Sequence, residues 1–292
     1  MKMDEKKLYI AGCGYIGEQL SLRALADGWD VTVQVRDENR AVTLRSRGCV
    51  AEVYGADELD DIPSLKRIHG AVLLYSIPPQ GGGTIDMRLR AMLAACRRDG
   101  VVPTRLIYLS ATSVYGDTGG EVVTEASPVQ PTSAMGKRRL DAEELMQEYA
   151  GENDVPLVVL RVSAIYGKGR LPLMQIAQRQ PLLDASLAKP SNRIHGEDLV
   201  QVCLATLTHG LGVYNVSDGS PSSMTDYFNA CADALGKPRQ PQVSLEEARQ
   251  CMPPLLFNYF MESRVVDNSR MIRELGVGLR YPDSRAGIPA SL

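Results

Sequence analysis

The stretch Leu8–Gly17 most narrows what this chain can fold into. Leu8-Tyr9-Ile10-Ala11 is a short apolar run of β-formers, and it stops at Gly12-Cys13-Gly14-Tyr15-Ile16-Gly17. Apolar residues then recur at helical spacing, at Ile16, Leu20, Ala24 and Leu25. The pattern is strand, glycine turn, helix. Gly12 permits the tight turn, Gly14 lets a pyrophosphate approach the backbone, and Gly17 lets the helix pack close to the strand. The unpaired N–H groups and positive dipole end of the helix face the same point. Gly12, Gly14, Tyr15, Ile16 and Gly17 are therefore expected to hold the phosphates of a dinucleotide.

The rest of the first half repeats strand and helix. Asp30–Val35 alternates and reads as strand two, with Arg36 at its end, nineteen positions after Gly17. An acidic residue there accepts from the ribose 2′-hydroxyl of NAD, whereas an arginine suits the 2′-phosphate of NADP. The expected cofactor is thus NADP(H) rather than NAD(H), although Asp37 follows at once and a surface arginine at a strand end is the plain alternative. Asp57 is placed to meet the adenine edge or to serve a turn. Gly70–Tyr75 is strand four and runs into Ser76, Ile77 and Pro78, expected against the cofactor. A helix near 85–99 follows, with Ile85, Leu89, Met92, Leu93 and Cys96 as its core face. Thr104–Leu109 is strand five and ends in Ser110-Ala111-Thr112-Ser113-Val114-Tyr115-Gly116. After a polar loop come a helix at Ala134–Ala150 and an apolar strand at Val155–Val162.

This alternation implies a doubly wound parallel sheet of Rossmann type, with ligands at the carboxyl ends of the strands. Residues 1–170 form the nucleotide-binding domain, which elements near 190–217 return to complete. From 171 to 292 the pattern loosens into a small mixed α/β lobe expected to bind substrate. Helices are expected near 171–178, 197–209, 223–236, 244–250 and 267–274, and the polar tail Tyr281–Leu292 reads as loosely held.

Composition excludes little but consistently. Net charge is −3 and basic residues scatter, which argues against nucleic acid as a partner. No apolar run spans a bilayer, and the charged start Met1–Lys7 lacks the apolar segment of a signal peptide, so a cytoplasmic protein is expected. Cys13, Cys49, Cys96, Cys203, Cys231 and Cys251 show no metal-ligand or disulfide spacing and read as reduced thiols, with no metal site.

Five stretches together resemble the extended and atypical branch of the short-chain dehydrogenase/reductases, the NAD(P)-dependent epimerase/dehydratase group. They are Gly12–Gly17, Leu109–Gly116, Leu160–Gly169 (similar to LRxxxxYGxG), Asn192–Leu199 (similar to RIHxxDL) and Gly212–Ser217. The resemblance implies a Ser/Thr, a Tyr and a Lys that handle the proton while hydride moves at the nicotinamide, the Lys also bonding the ribose. The matching positions here are Ala111, Met135 and Arg139, so all three depart from the pattern. A thioether carries no proton, and a guanidinium is no drop-in for an ammonium. General acid–base catalysis is worth roughly 10²–10⁴-fold, so its loss cripples ordinary carbonyl reduction without forbidding hydride transfer. An iminium or an activated alkene would suffer least.

Ser113 and Tyr115 are the replacement catalytic candidates. Ser110 and Arg139 are cofactor candidates, and Tyr166, Arg193 and His195 are substrate-binding candidates, each with a structural role as the alternative. Two functions stay open: an NAD(P)(H)-dependent oxidoreductase or epimerase/dehydratase-like enzyme acting on a small metabolite, and a non-catalytic NADP(H)-binding sensor or scaffold. The resemblance also implies a homodimer through the helices near 85–99 and 134–150, with Met92 or Leu145 at the contact. A buried core explains those two equally well.

Overall fold

The opening apolar run sits mid-sheet. β1 (Lys7–Ala11) pairs in parallel with β2 (Asp30–Val35) on one side and with β4 (Val72–Tyr75) on the other. β3 (Val50–Val53) extends the sheet beyond β2. On the far side follow β5 (Arg105–Ala111), β6 (Leu157–Val162) and β7 (Gly212–Val216). The order is β7-β6-β5-β4-β1-β2-β3, all parallel. Strand order reverses between β1 and β4, and the crevice at such a switch point is where open sheets of this kind bind ligands. This computed structural model describes residues 6–57, 60 and 62–292. The charged start at 1–5 lies outside the described residues.

Helices cover both faces. α1 (Tyr15–Ala26), α2 (Glu38–Ser46), α6 (Gly196–Thr206) and α10 (Ser269–Leu275) lie over one core, built from Leu8, Ile10, Leu20, Val33, Leu160, Leu199, Val202 and Met271. α3 (Met87–Asp99) and α4 (Ala134–Asn153) lie over the other, which holds Tyr9, Tyr75, Tyr108, Leu89, Met92 and Met146. Side chains alternate faces along a strand, so β1 feeds Leu8 and Ile10 to the first core and Tyr9 and Ala11 to the second. Met92 is fully buried in this second core and Leu145 packs against it. Met92 is therefore closed off by the chain's own core, whereas Leu145 is only half-buried.

A third core joins Tyr166, Ile176, Leu182, Leu183, Tyr227, Phe228, Cys231 and Phe260. Its helices are α5 (Leu173–Ala177), α7 (Met224–Ala234), α8 (Leu245–Cys251) and α9 (Pro254–Met261). The last of these was not legible in the sequence. The tail also departs from expectation. It carries α11 (Ser284–Ala290), capped by Asp283, with Tyr281, Ile288 and Ser291 buried. Polar composition misled here, because Tyr281 and Ile288 alone are enough to dock the tail. All six cysteines are free thiols, five of them buried.

Candidate active site

The phosphate end is built from β1, α1 and the loop after β4. Gly12 has φ +88°, and a Cβ there would lie 2.7 Å from the Ile77 nitrogen. Only glycine meets both demands. Its N–H donates to Gln34 Oε1 at 2.9 Å, and Ser76 Oγ donates to the Gly12 carbonyl at 2.7 Å. The turn is thus stapled from β2 and from the loop after β4. Gly14 differs. Its φ is −90° and a Cβ would meet nothing within 4 Å, so the space above it is open. No side chain caps α1, and its first N–H groups point into that space. Gly17 packs tightly against Ile10, where a Cβ would come within 3.1 Å of the side chain. Ile16 turns its side chain into the core, and the Tyr15 ring lies against Gly167 and Gly196.

From this turn a cleft of about 390 Å³ runs to the ends of β2 and β4, lined by Gly14, Arg36, Arg40, Ile77, Pro78 and Arg88 among others. Arg40 donates to the Cys13 carbonyl at 2.9 Å and pairs with Glu18. Arg88 holds Asp57 at 2.6 Å and the Pro78 carbonyl at 3.0 Å. Asp37 caps α2 through the Arg40 N–H. Arg36 is exposed at the rim and has no hydrogen-bond partner among the described residues. Residue types fit a dinucleotide: open backbone donors at one end, an unspent guanidinium at the other.

The reaction end departs further from the sequence reading. Ser110 Oγ donates to Glu143 at 2.5 Å, and Glu143 is bound by Arg161 through Nε at 3.1 Å and through a terminal nitrogen at 2.7 Å. Arg161 also donates to the Tyr115 hydroxyl at 2.9 Å, which donates to Asn215 Oδ1 at 2.7 Å. All five side chains are buried. The Tyr115 hydroxyl is therefore committed inside the protein, and burial pushes its pKa up. The Ser110 hydroxyl is likewise buried and spent on Glu143. Ser113 is different: its hydroxyl is buried yet has no partner, and its carbonyl would lie 2.6 Å from a Cβ at Gly136. Gly136 thus lets the start of α4 press onto the 112–115 turn, beside the half-exposed Met135. Arg139 reaches back to the Leu109 carbonyl at 2.8 Å and the Tyr108 hydroxyl at 3.2 Å. Arg264, unmarked in the sequence, clamps this turn through the Gly116 and Thr112 carbonyls.

The three substrate candidates turn inward together. Arg193 is 3% exposed, donates to the Ser222 hydroxyl at 2.9 Å and stacks on Tyr227 at 4.3 Å. His195 Nδ1 accepts from the Glu197 N–H, capping α6, while Nε2 meets Ser291 Oγ at 3.2 Å. Burial lowers its pKa. Tyr166 donates to the Asp283 carbonyl at 3.1 Å and packs edge-on against His195. The docked tail covers both residues, so none of the three faces an open cleft.

With that geometry in place, comparison with known proteins is informative. A family model described as NAD dependent epimerase/dehydratase family matches residues 8–217. The chain belongs to this family. Within it the chain is similar to Protein YeeZ of Escherichia coli (strain K12), 25% identical over 95% of this chain and 97% of that protein. It is 23% identical to the probable UDP-arabinose 4-epimerase 3 of Arabidopsis thaliana, over 78% of this chain and 68% of that one. Among solved structures, a functionally unknown conserved protein from Silicibacter pomeroyi superposes with a TM-score of 0.83 at 32% identity, covering 98% and 97% of the two chains. MoeE5 in complex with UDP-glucose and NAD shares the fold, with a TM-score of 0.75 at 21% identity and the same coverage. Among the described residues no helix is long and apolar enough to cross a membrane.

One buried carboxylate stands out electrostatically. Burial raises the Asp218 pKa to about 7, against a single backbone hydrogen bond from Ser220. The folded state then binds more protons than the unfolded one between roughly pH 4 and 7, so stability falls as pH rises through that window. Asp218→Asn keeps the oxygen that accepts from Ser220 and removes the charge. It is expected to stabilise the protein by about 2–4 kcal/mol at pH 8 and by little near pH 4, read from urea unfolding at both values.

Proposed function

We propose that the chain is an NADP(H)-preferring oxidoreductase or epimerase/dehydratase-like enzyme for a small metabolite. The observation that carries this is the cleft itself. It joins the open backbone at Gly14 to the unpartnered Arg36, with Arg40 and Arg88 adding positive charge. Such a cleft suits a pyrophosphate at one end and a 2′-phosphate at the other. Gly12, Gly14 and the N–H groups of Tyr15, Ile16 and Gly17 would hold the pyrophosphate. Ser76, Ile77 and Pro78 would flank the nicotinamide side, and Asp57, steadied by Arg88, the adenine. Arg139 would reach the second ribose. The bound cofactor supplies or accepts a hydride.

With Ala111, Met135 and the enclosed Tyr115 at the reaction end, Ser113 offers a buried hydroxyl with no partner, and it cannot supply a proton unaided. A substrate that takes hydride without protonation at the reacting atom, such as an iminium or activated alkene, fits this end best. The sugar nucleotides in the names of several relatives are not carried over, because Arg193 is turned into the lobe.

Quenching of NADPH and NADH fluorescence tests the cofactor reading. NADPH is expected to bind the tighter, and Arg36→Ala to erase the preference by weakening NADPH about 10–100-fold, the worth of a charge-assisted hydrogen bond. Equal affinities in the unmodified protein overturn the role of Arg36. The same enclosed Tyr115 and exposed Met135 favour a second reading, a non-catalytic NADP(H)-binding protein. A screen of the NADPH-loaded protein against metabolite extracts separates the two, since only the enzyme consumes NADPH.

A further inference from the structure

The tail closes over His195, and the hydrogen bonds there fix where the imidazole carries its proton. Nδ1 lies 3.2 Å from the Glu197 nitrogen. A backbone N–H can only donate, so Nδ1 holds no proton. Nε2 meets Ser291 Oγ at 3.2 Å, and the Ser291 hydrogen is already given to the Gly287 carbonyl at 2.6 Å. The hydroxyl oxygen therefore accepts and Nε2 donates. The neutral ring with its proton on Nε2 satisfies every one of these bonds. A second proton would go to Nδ1, where it would face the Glu197 N–H and undo the cap of α6.

The ring cannot turn away while the tail is docked. It is 2% exposed, with the Tyr281 ring 4.0 Å from it and the Tyr166 ring edge-on at 5.2 Å. Tyr166 lies opposite His195 on a short parallel strand, and Tyr15 of α1 packs against the neighbouring Gly167 and Gly196. The charged groups around the ring have other partners. Glu197 pairs with Arg280 at 2.9 Å, and Asp198 accepts from the Arg280 and Tyr281 N–H groups at 2.8 and 2.9 Å. Asp283 caps α11, and Arg193 is held by Ser222. Burial, helped by Arg280, lowers the His195 pKa against the pull of Glu197 and Asp198. The tail also presses on Tyr166, which donates to the Asp283 carbonyl, and a Cβ at Gly287 would overlap its hydroxyl.

We propose that His195 is a pH-sensitive latch for the C-terminal tail: neutral, it holds α11 down on Tyr166, and protonated, it lets α11 go. Release frees the ring to turn Nδ1 away from the Glu197 N–H, and it uncovers Tyr166 and His195 together. The proposal does not depend on the cofactor reading. In the released tail the imidazole titrates near its ordinary value of about 6.5, and in the docked tail below it. Docking is therefore strongest above that pH and weakens as pH falls through it. Asp218, whose charge also bears on Tyr166, titrates in the opposite sense.

Hydrogen exchange on the full chain tests this, read as protection factors of the Gly287 and Ser291 amides. Both amides bond within α11, which is too short to stay helical once undocked. Their protection is expected to fall about 5–10-fold from pH 7.5 to pH 5.5, and Asp218→Asn to keep that fall. His195→Asn retains a capping side chain for α6 and cannot be protonated, so protection is expected to be low at both pH values. Constant protection in the unmodified protein, an equal fall at the Ile10 amide of β1, or an undiminished fall in His195→Asn overturns the proposal. Should His195→Asn not fold, nitrogen chemical shifts of His195 decide in a chain carrying His69→Gln and His209→Gln. At pH 7.5 the proposal requires the proton on Nε2, and a proton on Nδ1 overturns it.

Discussion

Glu143→Ala is expected to cost about 3–5 kcal/mol of stability, a fall of roughly 6–12 °C in melting temperature. Glu143 is 1% exposed and neutralises Arg161, itself 6% exposed. Removing the carboxylate leaves a guanidinium buried without its countercharge and strands the Ser110 hydroxyl. The loss propagates, because Arg161 also holds Tyr115, Tyr115 holds Asn215, and the Asn215 N–H donates to Glu125 at 2.8 Å. That chain links α4, β5, β6 and β7 to the polar loop. Replacing both members of the ion pair with apolar residues, Glu143→Met with Arg161→Met, is expected to recover much of the loss, since the burial cost of the pair goes with the pair. Thermal melts of the two variants check this. A single variant that melts within about 1 °C of the unmodified protein would mean that the network carries no stability, and would release Tyr115 for a chemical role.

What the sequence conveyed depended on whether a signal was local. The turn at 12–17 was legible because its glycines answer constraints within one β-strand–α-helix unit. Arg36 was legible because it follows from the length of that unit. The parallel sheet followed from repeated alternation, and β1 to β6 begin and end within a few residues of expectation. The positions Ala111, Met135 and Arg139 came from the family pattern that the chain resembles. Long-range partners were not legible. Nothing in Glu143, one of many acidic residues on a helix, marks it as the countercharge of a residue eighteen positions on. Tyr115 was read as a site residue because it ends a polar loop, yet its partners are Arg161 and Asn215, on separate strands. Arg193 and His195 were misplaced for the same reason: Arg193 is held by Ser222 and Tyr227 on a later element, and His195 meets Ser291 of the returning tail.

The central claim is that a dinucleotide lies over the Gly12–Gly17 turn. Gly14 separates this claim from stability. Its backbone suits other residues and a Cβ there touches no protein atom, so Gly14→Ala is expected to change stability by less than about 1 kcal/mol. The same methyl group would fill the approach of the pyrophosphate. The decisive measurement is therefore calorimetric titration of NADPH and NADH into the unmodified protein and into Gly14→Ala, with melting curves for both. The account predicts dinucleotide binding by the unmodified protein, and a loss of about 10–100-fold in a variant that melts as before. Absence of dinucleotide binding by the unmodified protein, or undiminished binding by Gly14→Ala, would contradict it.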